Sequence, residues 1–215
     1  QNGGYIISED KKSSGWTDPK TVEAMEFYAS FVEEGIAPNA VTVAENDIAP
    51  LLESGTVAMG YLGSWMMGEL GSNEFIIENF DCGVMPAAPD GTRATIYNGL
   101  GWSASANGAN QDAAWALLEY LGSEEAQVKM GDAGMCNISA HEAGQAAWGK
   151  SDERFNLQAY VDQVQYGVLY PSSANTVVWD TMTKEKASEM LQLQRSVADI
   201  CTEMQTEMDA MLAEE

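Results

Sequence analysis

The chain changes character near Asn110, and that change limits the folds open to it more than any other feature. Before this point, short apolar runs lie between glycines and prolines. Beyond it, apolar residues recur at spacings of three and four as far as the end. In the first part, Thr56-Val57-Ala58-Met59-Gly60-Tyr61-Leu62 is mostly apolar and bounded by glycines, which predicts a buried strand. Residues 80–85 read as a second strand, and 95–106 as an extended segment holding Gly99 and Gly101. Helices are interleaved with these runs. Asp18 before Pro19 is a strong start signal, since the Asp oxygen caps open N–H groups and proline has none to cap. Val22, Met25, Phe27, Tyr28, Phe31 and Val32 follow at helical spacing, and Gly35 and Pro38 end the run. A short helix is expected over 48–53, closed by Ser54-Gly55, and another begins near Trp65 after a Gly63-Ser64 turn.

In the second part, residues 112–121 place Ala114, Trp115, Leu117, Leu118 and Leu121 on one side of a helix. Ser123 caps the next, and further helical stretches are expected near 140–148 and 155–165. Residues 166–171 form an apolar break. From Asn175 two helices are expected, divided near 194–196 and marked by Met190, Leu193, Val197, Ile200, Met204, Met208 and Met211. Methionine at helical spacing fills cores, and that reading is preferred to a metal or groove role. A mixed first part followed by a helical second part predicts an α/β or α+β architecture with helices covering a sheet.

With 10 Lys+Arg against 33 Asp+Glu, the 215 residues carry a formal charge of −23. Lys11-Lys12 is the only adjacent basic pair, so nothing tracks a phosphate backbone and nucleic acid is excluded as a partner. An anionic membrane surface is disfavoured on the same ground. A neutral or cationic small molecule remains. The acid pairs Glu33-Glu34, Glu124-Glu125 and Glu214-Glu215 read as solvated faces or first helical turns. No stretch approaches the roughly 18 apolar residues of a membrane-spanning helix. Cys82, Cys136 and Cys201 are far apart and lack zinc-site spacing, so they read as small core residues, with one disulfide pair as the alternative. The first residue is Gln1 rather than Met, from which an upstream segment is expected.

Catalytic signals are weak. The single histidine, His141, has no recognisable acid and serine partners and reads as a surface or capping residue. Gly99-Leu100-Gly101 lacks the third glycine and following helix of a dinucleotide site. No cofactor or metal is expected. A glycosidase needs only two carboxylates at a set separation, so a carbohydrate-active enzyme stays open as the alternative, and an interaction module as a third reading.

The tryptophans say more. Trp115 reads as core, and Trp16 and Trp148, near element ends, as partly exposed packing residues. Trp65, Trp102 and Trp179 each stand where an element meets a loop, beside small residues that let a ligand approach the backbone. Sugars offer apolar C–H faces to such rings, and their hydroxyls need polar groups at the rim. Core packing is the competing role for all three.

Four segments resemble the family 1 extracellular solute-binding proteins of bacterial ABC importers, the maltose-binding-protein type. They are Thr17-Asp-Pro-Lys-Thr-Val-Glu-Ala-Met-Glu-Phe-Tyr with its Glu34-Gly-Ile-Ala-Pro-Asn39 exit, Leu52-Glu-Ser-Gly-Thr-Val-Ala-Met-Gly-Tyr-Leu-Gly-Ser-Trp65, residues 97–105 followed by 110–121, and the ending 177–215. The second is the most specific. The resemblance implies an α/β periplasmic-binding-protein-like type II fold, present here in part: a helix-rich C-terminal half without its N-terminal half. It implies a non-catalytic receptor whose two lobes close on a carbohydrate and then dock on a membrane permease. It places Trp65, Trp102 and Trp179 as stacking rings and Asn98, Ser64 and Tyr61 as hydroxyl partners. Residues 1–98 and 167–215 would belong to the second lobe and 99–166 to the first. An extracellular or periplasmic location is implied, with a lipid anchor on the N-terminal part. Three departures stand out: members are about twice as long, Leu52 stands where Phe is common, and Asn137-Ile-Ser139 replaces a frequent Leu-Pro pair.

Overall fold

A computed structural model describes residues 1–135 and 138–215. Among these, the first helices are α1 (Pro19–Glu33), α2 (Ala40–Glu45), α3 (Ile48–Glu53), α4 (Met67–Leu70) and α5 (Glu74–Asn79). After strand β1 (Thr95–Tyr97) come α6 (Gln111–Leu121), α7 (Glu124–Asp132), α8 (Glu142–Trp148) and α9 (Gln158–Gln163). Strand β2 (Gly167–Leu169) precedes α10 (Thr176–Met190) and α11 (Val197–Ala213). The chain forms two compact units, one of Gln1–Ile48, Ala87–Arg93 and Tyr170–Glu215, the other of Ala49–Pro86 and Ala94–Leu169. This is a different cut from the lobe boundaries that the resemblance implies: residues 49–86 group with 94–169. One reason is local, since Asp81 Oδ1 accepts from the Asn156 N–H at 2.7 Å and the Cys82 carbonyl from Asn156 Nδ2 at 3.3 Å.

The first unit is built on α11. Ile200, Cys201, Met204, Met208 and Leu212 recur on one face and are buried against Trp16, Trp179, Met182 and Met190. The methionine stripe is therefore core, apart from its exposed Leu193. Asp18 Oδ1 accepts from the Lys20 N–H at 2.9 Å and starts α1, while Ser196 does the same for Asp199 and starts α11. Gly35 takes φ +71° where α1 ends, a left-handed backbone that glycine adopts without penalty. The segment before α1 folds back through an Ile7–Ser14 antiparallel bridge. Asp209 Oδ1 accepts from both the Ser14 N–H (2.6 Å) and Oγ–H (2.9 Å), which fastens that segment to α11. Trp16 completes the attachment: it is buried, and its indole N–H donates to Met208 Sδ at 3.2 Å, so it is a core residue rather than a partly exposed one.

In the second unit the tightest pair is α7 with α8. A Cβ at Gly131 would lie 2.5 Å from the Gly144 carbonyl oxygen, and one at Gly144 would lie 2.5 Å from Ser139 Oγ. Only glycine permits that approach. Ser123 caps α7, and His141 caps α8 through Nδ1, which accepts from the Ala143 N–H at 3.4 Å. Trp148 is 1% exposed, edge-on to Tyr160 at 5.8 Å between ring centroids, so it too is core. Trp115 is the reverse case: α6 has no buried residue and this ring is 62% exposed.

Strands are fewer than expected. β1 and β2 pair in parallel with Thr95 opposite Gly167, Ile96 opposite Val168 and Tyr97 opposite Leu169. The apolar break over 166–171 thus contributes a strand. Residues 56–62 and 80–85 are irregular, and no other strand lies beside them among the described residues to supply a hydrogen-bonded ladder. Cys201 is buried and Cys82 half-buried, both as free thiols. Cys136 and Asn137, the latter in the segment that departs from the Leu-Pro pattern, lie outside the described residues.

Candidate ligand-binding site

Five of the six expected ligand residues belong to the second unit: Tyr61, Ser64, Trp65, Asn98 and Trp102. Trp65 sits on a single 3-10 turn, Ser64–Met66, entered through Gly63 in an extended conformation. A Cβ at position 63 would lie 2.2 Å from Trp65 Cη2 and Cζ3, so the indole folds back over the glycine. Its ring is 60% exposed. Ser64, on the same turn, is half-buried, and Tyr61 is 74% exposed in the segment leading to it.

Asn98 and Trp102 follow β1 on one irregular segment, and both are exposed, Trp102 by 61%. Nothing lies within contact distance of a Cβ built on Gly99 or Gly101, which leaves the backbone beside Trp102 open. No ring contact joins Trp65 to Trp102 among the described residues. Of the three indoles expected to meet a ligand, two are therefore uncovered, each on a short segment bordered by glycine.

Trp179 departs from the expectation. It is fully buried in the core of the first unit, and Tyr170 stacks on it with 6.1 Å between centroids and 15° between planes. Its indole N–H donates to Ser173 Oγ at 3.0 Å. Both its polar atom and a ring face are thus occupied, and no surface is left for a sugar. The position at the start of α10 misled, because the Glu215 side chain closes that end. Its carboxylate accepts from Ser173 Oγ (2.6 Å) and from the N–H groups of Ala174 (3.0 Å) and Asn175 (2.7 Å). Burial and a hydrogen bond to Asp180 push the Tyr170 hydroxyl up to about 12, so it stays protonated and donates to that carboxylate.

A shallow groove of about 540 Å³ opens in the first unit, lined in part by Glu26, Phe27, Met190, Leu193 and Arg195. None of the expected ligand residues borders it. Sequence reasoning passed over Gly63 as a determinant of Trp65, although a glycine two residues before an indole was a readable signal. No group of three or more His, Cys, Asp or Glu that could hold a metal occurs among the described residues.

The fold is a helix-rich part of the periplasmic-binding-protein fold. An ABC substrate-binding protein from Listeria monocytogenes, solved in complex with cycloalternan, matches 99% of this chain with a TM-score of 0.79 at 16% identity. A cyclic alpha-maltosyl-1,6-maltose binding protein from Arthrobacter globiformis matches 100% of it with a TM-score of 0.72 at 19% identity. Residues 1–128 match the bacterial extracellular solute-binding protein family, and the chain belongs to that family. Binding proteins from Brucella abortus and Brucella suis are 26% identical over 120 residues, 55% of this chain and 29% of theirs. The chain spans 54% of each of the two solved structures. A family of binding proteins is not one of enzymes, so the carboxylate-pair alternative is set aside. No described helix is long and apolar enough to cross a membrane.

Proposed function

We propose that this chain is the carbohydrate-facing part of an extracellular receptor for an ABC importer, with Trp65 and Trp102 as the platforms on which sugar rings stack. The observation that supports this most is their exposure, 60% and 61%, on glycine-bordered segments of the same unit. Large aromatic rings left in water cost stability unless something covers them in use. A sugar ring suits both, because its C–H face covers the indole while its hydroxyls remain hydrated or bonded. Asn98, Ser64 and Tyr61 supply the polar atoms for those hydroxyls. Both solved relatives have names that refer to cyclic oligosaccharides, which favours an oligosaccharide over a monosaccharide here.

The mechanism in this reading is lobe closure. A ligand held by one lobe alone leaves the open state favoured, and contacts made only on closing shift the balance. The closed complex then docks on the importer's permease at the extracellular face of the membrane. Calorimetric titration with cycloalternan and with linear maltooligosaccharides, followed by product analysis of the same mixtures, tests this. Saturable heat without released product is the expected result. Saturable heat with hydrolysis products is the result that overturns it.

A further inference from the structure

Asparagine followed by glycine is a chemically labile pair, because glycine has no Cβ to keep its backbone nitrogen off the asparagine side-chain carbonyl. The chain holds three such pairs, Asn2-Gly3, Asn98-Gly99 and Asn107-Gly108. Two of them are tied down. Asn2 Nδ2 donates to the Lys20 carbonyl at 3.1 Å and to Glu23 Oε2 at 2.9 Å, which commits that amide to α1. The Gly108 N–H donates to the Ser105 carbonyl at 3.1 Å, which commits that nitrogen to a turn. Asn98-Gly99 has neither restraint. It lies just past the end of β1, and both residues are exposed. Among the described residues, neither the Asn98 side chain nor the Gly99 N–H makes a hydrogen bond. Nothing comes within 4 Å of a Cβ built on Gly99, so no neighbour prevents the pair from turning its two reacting atoms together.

From this we propose that Asn98-Gly99 is a self-modifying site, at which Asn98 is converted to aspartate and isoaspartate. The Gly99 nitrogen, giving its proton to hydroxide, bonds to Asn98 Cγ. The Cγ–Nδ2 bond breaks, and Nδ2 leaves as ammonia with a proton taken from water. The five-membered succinimide that results is opened by one water molecule. Opening at Cγ gives aspartate, and opening at the backbone carbonyl carbon gives isoaspartate. Nothing is oxidised or reduced, and one water is consumed for each ammonia released. The product differs from the amide in two ways. An amide donates and accepts hydrogen bonds, whereas a carboxylate only accepts and carries a charge. Isoaspartate also routes the main chain through Cγ, which lengthens it by one atom between Tyr97 and Trp102. The reaction stands on the geometry of the pair alone. Its consequence for a ligand rests on the proposed role of Asn98 toward sugar hydroxyls.

The test incubates the folded protein, without sugar, in mildly alkaline buffer made with heavy-oxygen water, and follows each pair by peptide mapping and mass spectrometry. Heavy oxygen is expected at residue 98, as a mixture of aspartate and isoaspartate, at least tenfold faster than at Asn2 or Asn107. In urea, where the restraints on the other two pairs are gone, all three are expected to react at comparable rates. Gly99→Ala, whose methyl group meets nothing, should leave the melting curve unchanged and slow the reaction at Asn98 at least tenfold. Asn98 reacting no faster than Asn2 and Asn107 in the folded protein overturns the proposal. So does an undiminished rate in Gly99→Ala. Calorimetric titration of Asn98→Asp with cycloalternan reads the consequence separately. At least a tenfold loss of affinity is expected. Affinity equal to that of the wild type would count against the proposed role of Asn98 and leave the modification standing.

Discussion

Trp179 lies nearly parallel to Tyr170, with 15° between the ring planes, and is sealed from solvent in the core of the first unit. Its contribution is therefore to stability. Replacing a buried tryptophan by alanine leaves a cavity and costs about 3–5 kcal/mol. Trp179→Ala is expected to lower the urea midpoint by that equivalent with the m-value unchanged, and Trp179→Phe to recover part of it. A variant as stable as the wild type would show that the ring is not a core element.

The α7–α8 contact makes a second demand. Gly131→Ala would drive a methyl group to 2.5 Å from the Gly144 carbonyl, which is backbone and cannot rotate away. Overpacking of this kind costs about 1–3 kcal/mol. Thermal unfolding followed by circular dichroism should register the loss, while Gly83→Ala, with nothing near its Cβ, leaves the melt unaltered by comparison.

Local signals in the sequence were legible where one short segment decides the outcome. Asp18-Pro19 and Ser123 begin helices as expected, by bonding N–H groups a few residues away, and Ser196 begins α11 in the same way at the expected division near 194–196. The stripe from Ile200 to Met208 met the core because helical spacing alone fixes its face. What failed depended on distant partners. Residues 56–62 have the composition of a strand, but a strand exists only beside another. Trp148 is buried because α7 and α8 close on each other and Tyr160 covers it, while Trp115 stays exposed on α6, a helix that buries none of its residues. Trp179 and Trp65 looked alike in sequence, each after small residues at a helix start. Glu215, 36 residues beyond Trp179, is part of what separates them.

The charge network on α10 and α11 sets a pH dependence. Hydrogen bonds from Arg195 and then from Lys186 hold the Glu203 carboxyl down at about 2, against an ordinary value of 4.5. Between those values the unfolded chain binds the proton that the folded chain refuses, so stability rises with pH across that window. The contribution is complete above pH 4.5 and lost as pH falls towards 2. Glu203→Gln should flatten that part of the melting-temperature profile and narrow its gap to the wild type in acid. Because the groups are exposed, added salt should shrink the effect. Parallel profiles over that range would refute the assignment.

Gly63 fixes how Trp65 is presented. A methyl group there would lie 2.2 Å from the indole, and the ring, being the movable partner, would swing off the backbone. Gly63→Ala is expected to alter the Trp65 contribution to fluorescence and weaken sugar binding several-fold, with the melting temperature within about 1 °C of the wild type. Unchanged fluorescence and affinity would mean that the ring position does not depend on that glycine.

The most direct test of the whole account is calorimetric titration of the protein with cycloalternan and with cyclic alpha-maltosyl-1,6-maltose, repeated with Trp65→Ala and Trp102→Ala. Both rings are exposed, so each substitution should change stability by no more than about 0.5 kcal/mol. Stacking predicts a saturable isotherm for the wild type and at least a tenfold loss of affinity, about 1.4 kcal/mol, in each variant. Wild-type affinity retained in both variants would contradict the assignment of these two tryptophans as the sugar-binding surface.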